Sequence, residues 1–232
     1  MAIQPLDSAR GRELVEQMDC FVTRVRALLA SRVAMTNQSI TRAAGACQRA
    51  RFTYPAGMRV VLIAAQSLDG FITRHGDPGT AFTSPEDKAY FRAAVAGFEV
   101  GVIGGETYRV SREFIRTSLP GRLLRVVLTR SPARYAADAR PGVLEFTNAP
   151  PAELVAGLRA RGFQHCALLG GSHVHSLFLE AGLGDEVWLT IEPALFGGGT
   201  PLLARRADVR LALLAVEKLG PATLLLKYQV RR

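Results

Sequence analysis

From Arg59 onward, short apolar bursts alternate with longer mixed stretches, the pattern of strands separated by helices. Arg59–Ala65 is a continuous apolar run that predicts a central strand buried on both faces. Pro85–Gly97 predicts a helix: Ser84 is a good N-cap, Pro85 takes the first helical position, and Glu86 and Asp87 stand at its positive end. Next come a strand at Val100–Ile103, a short helix at Glu106–Ile115, a strand at Leu123–Leu128 and a weaker one at Val143–Phe146. A helix over Ala152–Arg161, stopped by Gly162, precedes a strand at Cys166–Leu169, a helix at Val174–Ala181 and a long strand at Glu186–Glu192. The alternation then ends. Val209–Leu219 and Thr223–Val230 are both strand-like, with only Gly220-Pro221 at their junction, which predicts an antiparallel hairpin at one sheet edge. The expected fold is a three-layer α/β/α mixed sheet with helices on both faces, not a plain doubly wound nucleotide fold.

The first 57 residues follow a different pattern. Leu14, Met18, Phe21, Val22, Val25, Leu28 and Leu29 recur at helical spacing between Arg24, Arg26 and Arg32, predicting an amphipathic helix over Leu14–Val33. Thr36–Ala56 is a polar Ala/Arg/Thr-rich connector. The chain therefore divides into an appended helix and connector, residues 1–57, and a main domain, residues 58–232. Packing of this helix on the parent domain or on another subunit is the first expectation; a membrane-surface or targeting role, against which Glu13, Glu16 and Asp19 count, and an upstream region with no settled structure are the alternatives.

With 48% apolar residues, the chain can build a substantial core. The formal charge of +9 invites a nucleic-acid reading, but the basic residues are scattered and no aromatic-interleaved patch accompanies them, so no nucleic-acid partner is expected. Cys20, Cys47 and Cys166 form neither a CxxC pair nor an even set, which suits a reducing, cytoplasmic location. No apolar stretch reaches membrane-spanning length, and a soluble protein is expected. His165, His173 and His175 lack a completing ligand spacing, so no metal is expected.

The candidate chemistry lies at predicted strand ends. Leu169-Gly170-Gly171-Ser172 follows one apolar strand and precedes the helix starting at Val174; Gly104-Gly105-Glu106-Thr107 repeats the arrangement upstream. Paired glycines at a strand-to-helix junction leave backbone N–H groups open to a phosphate, and two such junctions point toward a dinucleotide. Either pair could also be a tight turn. Thr129-Arg130-Ser131 ends another strand; its guanidinium suits an adenosine 2'-phosphate, which would select NADPH, or it is a solvated arginine before Pro132. Asp69-Gly70 makes a tight turn whose carboxylate braces the loop or faces a substrate. Gly197-Gly198-Gly199 allows close approach of a cofactor or a sharp turn. There is no G-x-G-x-x-G fingerprint, P-loop or G-x-S-x-G elbow.

Ala65-Gln-Ser-Leu-Asp-Gly70, Phe82-Thr-Ser-Pro85, Gly104-Gly-Glu-Thr107, Gly170-Gly171 and, most specifically, Leu183-Gly-Asp-Glu-Val-Trp-Leu-Thr-Ile-Glu-Pro-Ala-Leu-Phe-Gly-Gly-Gly-Thr-Pro201 resemble the reductase domain of riboflavin biosynthesis, within the dihydrofolate-reductase-like superfamily. The resemblance covers about residues 58–230. It implies a homodimeric NADPH-dependent reductase passing hydride to a small pyrimidine or pterin-like heterocycle, with 5-amino-6-ribosylaminouracil 5'-phosphate as the riboflavin-pathway case. By the same resemblance, Ala64, Ala65 and the Ser67–Gly70 loop border the nicotinamide, and Thr83 and Ser84 lie by cofactor or substrate. Gly104, Gly105, Thr107, Leu169, Gly170, Gly171, Ser172 and Val174 would serve the pyrophosphate side. Asp69, oriented by Ser67, is the nearest candidate for a protonating group; water suffices if the substrate is an imine. Two departures stand out: Leu169 replaces a glutamate that usually precedes the last glycine pair, and Tyr108–Arg116 lacks the Asp-Asn-Pro-x-Leu-Thr-x-Arg segment that holds a ribose phosphate. A homologue that binds NADPH but acts on an unrelated substrate, or serves only in binding, is the alternative.

Overall fold

β1 (Arg59–Ser67) lies at the centre of the sheet because its side chains are apolar on both sides: Val60 and Leu62 enter one core, and Val61 and Ile63 the other. The computed structural model describes residues 57–77, 79–117 and 122–231; the sequence-predicted helix Leu14–Val33 and its connector lie outside them. After β1 come α1 (Pro85–Val95), β2 (Val100–Gly104), α2 (Gly105–Thr117), β3 (Leu124–Leu128), a 3-10 segment (Pro132–Asp138) and β4 (Leu144–Thr147). The chain continues through α3 (Pro151–Ala160), β5 (His165–Gly170), α4 (Ser172–Glu180), β6 (Glu186–Glu192), β7 (Arg210–Lys218) and β8 (Leu224–Arg231). The predicted elements are present with ends shifted by one or two residues, and the 3-10 segment was not anticipated.

The eight strands are ordered β4-β3-β2-β5-β1-β6-β8-β7. The first six are mutually parallel; β8 runs antiparallel to β6 and β7 antiparallel to β8, which is the expected terminal hairpin. α3 and α4 cover one face, with Val155, Leu158, Val174 and Phe178 packed on Val60, Leu62, Val102 and Leu168. α1 and α2 cover the other, where Val95 meets Val61 and Ile63, and Tyr108 and Ile115 meet Ile103 and Val127. This is the three-layer α/β/α arrangement. Because the six central strands are parallel, their carboxyl ends share one edge, the usual place for a ligand crevice.

Candidate functional site

At that edge β2 lies beside β5, so the two glycine doublets meet. A side-chain carbon on Gly104 would stand 3.3 Å from Val174 Cγ2 and 3.7 Å from the Gly171 nitrogen; one on Gly171 would stand 3.1 Å from Thr107 Oγ1. A carbon on Gly105 would lie 3.0 Å from Thr129 Oγ1. Gly104, Gly105, Thr107, Thr129, Gly171 and Val174 thus come together at the starts of α2 and α4, and the Gly170–Gly171 peptide is cis. Gly170 itself has φ of +109°, a conformation L side chains rarely adopt.

The start of α4 is fastened from behind. The Ala204 N–H donates to the carbonyl of the buried Ser172, and the Arg205 N–H donates to Ser176 Oγ. Burial pulls His175 down to about 4, so the ring is neutral, and its Nδ1 sits 3.1 Å from the Leu202 carbonyl, which fixes the proton on Nδ1. Leu169 turns the other way. Its side chain packs into both cores beneath α1 and α2, in the space a Gly101 side chain would otherwise occupy. The position usually held by glutamate in the riboflavin enzymes therefore presents an apolar side chain to the protein interior.

Ser67 and Asp69 form the brace of the loop after β1. Ser67 is fully buried; its hydroxyl donates to Asp69 Oδ1 at 2.5 Å and accepts from the Phe71 amide. The Asp69 carboxylate also accepts from the Phe196 and Gly197 amides at 3.0 and 2.7 Å, tying this loop to the glycine-rich one. The Ser67 hydroxyl and then the Gly197 amide hold Asp69 below the ordinary carboxylate range, so near neutrality it accepts hydrogen bonds and supplies no proton. The triple glycine serves the same joint: a side chain on Gly199 would fall 2.2 Å from the Thr73 carbonyl oxygen. Asp69→Ala is expected to speed amide exchange at Phe196 and Gly197 by about tenfold, the loss of a charge-assisted hydrogen bond, with β1 unchanged. Since the folded-state value is depressed, the brace is intact above the unfolded carboxylate value and weakens as pH falls through the folded one. Unchanged exchange in the variant would show that the carboxylate does not hold the loops.

A buried polar cluster under the start of α1 escaped the sequence reading. Ser84 caps α1 by accepting from the Asp87 amide, while its own N–H and Oγ–H both donate to Glu192 at 2.8 Å. Thr223 donates to the other Glu192 oxygen, so Glu192 is satisfied. Asp87 is 7% exposed, and burial raises it above the ordinary aspartate value, against the lowering effect of the Thr190 and Thr83 hydroxyls; the Glu192 charge adds to the rise. Thr190 pairs in register with Ala65, which puts this carboxyl beside the carboxyl end of β1. The available signal was in β6: Glu186, Trp188, Thr190 and Glu192 alternate, placing three polar residues on one face of the strand.

The remaining sequence candidates separate. Ala64 packs against the α3/α4 core, Ala65 stands next to Thr190, and Thr83 is buried with its hydroxyl donated to the Thr80 carbonyl. Arg130 and Ser131 are exposed just past Thr129, which accepts from the Ser131 amide. His173 is exposed, and His165 lies 3.5 Å from Glu99. Among the described residues no group of three or more His, Cys, Asp or Glu side chains could hold a metal, and no helix is long and apolar enough to cross a membrane.

A family model described as the RibD C-terminal domain matches residues 58–225. No curated protein matches. The chain is similar in structure to a deaminase/reductase from Thermotoga maritima whose title names diaminohydroxyphosphoribosylaminopyrimidine deaminase and 5-amino-6-(5-phosphoribosylamino)uracil reductase, at 19% identity and TM-score 0.63, covering 75% of this chain and 57% of that one. A pyrimidine reductase-like protein from Corynebacterium diphtheriae gives 19% identity and TM-score 0.60 over 75% of this chain and 92% of that chain. Dihydrofolate reductase from Enterococcus faecalis, solved with NADP(H) and an inhibitor named RAB-propyl, gives 21% and 0.53 over 75% and 97%. At these identities the likenesses establish the shared fold.

Proposed function

Because the chain belongs to the RibD C-terminal domain family, we propose that it is an NADPH-dependent reductase acting on a flat nitrogen heterocycle of the pyrimidine or pterin class. One observation carries this reading: the glycine doublets of neighbouring strands meet at the carboxyl edge of the sheet, where a Cβ on Gly104, Gly105 or Gly171 would come within 3.3, 3.0 or 3.1 Å of a neighbouring side chain. Gly104, Gly105, Thr107, Thr129, Gly170, Gly171 and Ser172 would hold the pyrophosphate, and Ala64, Ala65 and the Ser67–Gly70 loop would border the nicotinamide. From β2 to β6 there are three inter-strand steps, roughly 15 Å, so phosphate and reacting ends can be held at opposite sides of one crevice. When bound, the coenzyme supplies a hydride.

The chain's own contribution is orientation and a proton. Burial raises Asp87 above its ordinary value and so favours its protonated form, and a proton at that carboxyl would be the one given to a ring nitrogen. Thr83 and Thr190 orient that carboxyl, Ser84 and Glu192 fix the start of α1 above it, and Ser67 with Asp69 positions the bordering loops. Asp87 therefore takes the protonating role that the resemblance offered to Asp69. With Leu169 turned into the core, substrates beyond the riboflavin intermediate belong in the assay.

In this proposal residues 58–232 are the reductase domain of a cytoplasmic homodimer, and residues 1–57 an appended element. Leu211, Leu213 and Val216 are exposed on β7, the edge strand, and a second copy would cover them. The test is fluorescence titration with NADPH, then NADPH oxidation with 5-amino-6-ribosylaminouracil 5'-phosphate and with pyrimidine and pterin analogues. Absence of NADPH binding overturns the proposal; binding without turnover on any of these compounds favours a binding role. Arg130 would take the 2'-phosphate. Arg130→Ala is expected to weaken NADPH by about tenfold or more while leaving NADH unchanged, the loss of a charge-assisted contact; equal losses for both nucleotides would remove that role.

A further inference from the structure

Away from the glycine junction, the face of α2 that turns toward the 3-10 segment borders a half-open cavity of about 270 Å³ lined by Arg109, Arg112, Arg134, Tyr135, Ala137 and Asp138. Two of its three guanidinium groups are held in place by carboxylates. Asp138 is buried, accepts from the hydroxyl of the fully buried Tyr108 at 2.9 Å, and pairs with Arg112, so that arginine is anchored to the core. Glu106 holds Arg109 through both Nε and Nη2. Each guanidinium has five N–H donors, so these contacts leave several on both Arg109 and Arg112 for another acceptor. Arg134 forms no ion pair among the described residues. Tyr135 stacks on Phe146, with ring centroids 5.2 Å apart, and is thereby fixed as a rigid wall.

Three cations face the cavity; Asp138 offsets Arg112 and Glu106 offsets Arg109, so Arg134 leaves the cluster one net positive charge, with oriented donors on the paired arginines. Preset guanidinium forks match the oxygens of a phosphate better than a single carboxylate, because they can be met two at a time. The volume lies just under the range of drug-sized ligand pockets, which suits a sugar phosphate or mononucleotide and is small for a dinucleotide. We propose that the Arg109–Arg112–Arg134 cavity is an anion site for the phosphate monoester of a small ligand. Its evidence is separate from that for the glycine crevice, and the site does not depend on hydride transfer.

Two sources share this chemistry: a separate phosphorylated molecule, and the adenosine phosphate of a bound coenzyme. The experiment is calorimetric titration of the full chain with inorganic phosphate and with ribose 5-phosphate, alone and with saturating NADPH. Saturable binding is expected, weakened about tenfold or more in Arg134→Glu and retained in Gly171→Val, which alters only the crevice. Persistence of binding with NADPH present identifies a separate ligand. Competition by NADPH but not by NADH identifies the coenzyme's own phosphate and moves the 2'-phosphate role from Arg130 to these arginines; either result supports the site. Absence of saturable binding, binding unchanged in Arg134→Glu, or binding lost in Gly171→Val would overturn it. Arg134 is exposed, so its replacement leaves the core intact, and Arg112→Gln provides a second variant with a side chain of similar reach.

Discussion

Asp87→Asn is expected to slow hydride transfer at least about 100-fold, the scale of a lost general acid, with NADPH affinity unchanged and thermal stability at neutral pH equal or higher. The stability half of this expectation separates catalysis from structure. Burial raises Asp87 in the folded state, so its ionised form is disfavoured there relative to the unfolded chain. The stability it contributes is complete below the unfolded carboxylate value and is lost as pH rises through the folded one. Asparagine removes that loss near neutrality and cannot donate a carboxyl proton. The wild-type rate should accordingly fall as pH rises through the raised Asp87 value, and the variant's residual rate should not follow that profile. A variant that is inactive because it melts early would make Asp87 structural, and full activity would remove it from the mechanism.

Gly171→Val should lower NADPH affinity about 100-fold while the protein still folds. Gly171 has a φ of −81°, outside the left-handed region, and the first side-chain carbon of valine arrives 3.1 Å from Thr107 Oγ1, so its methyl groups crowd the junction of the doublets. Overpacking of this kind costs about 1–3 kcal/mol, and displaced phosphate contacts add to it. Gly157→Ala is the matched control, because a side-chain carbon at that position in α3 meets nothing within 4 Å. Equal NADPH binding in Gly171→Val and wild type would separate the glycine junction from coenzyme recognition and take the reductase proposal with it.

Much of the fold was legible because its signals are local. Ser84-Pro85-Glu86-Asp87 specifies a helix start by capping and dipole chemistry, and Ser84 does cap α1. Gly220-Pro221 between two apolar runs specified the hairpin, and β7 pairs antiparallel with β8. The 3-10 segment was missed because Pro132-Ala-Arg-Tyr135 has no helical periodicity; it is held by Tyr135 packing on Tyr108 and Phe146, residues distant in sequence. For the site, the doublets were visible as glycine pairs after apolar runs. That they would stand side by side was expected of parallel strands whose carboxyl ends share an edge; the pairing of β2 with β5 that brings it about joins segments more than sixty residues apart and was decided by the fold.

The same distinction separates Asp69 from Asp87. In the chain, Asp69 stands in a polar turn and Asp87 in an amphipathic helix start, and the turn looks the more chemical of the two. Folding brings the Phe196 and Gly197 amides to Asp69 and stabilises its charge, whereas it turns Asp87 to the buried side of α1 near Glu192 and works against charge. Periodicity, caps and turn residues determined which segments are strands and helices, since each of those choices is made by neighbours within a few positions. Strand order, the direction taken by Leu169 and the ionisation of the two aspartates were decided only by tertiary structure. Burial and through-space charge depend on what the fold brings alongside a residue, and that is set by distant parts of the chain.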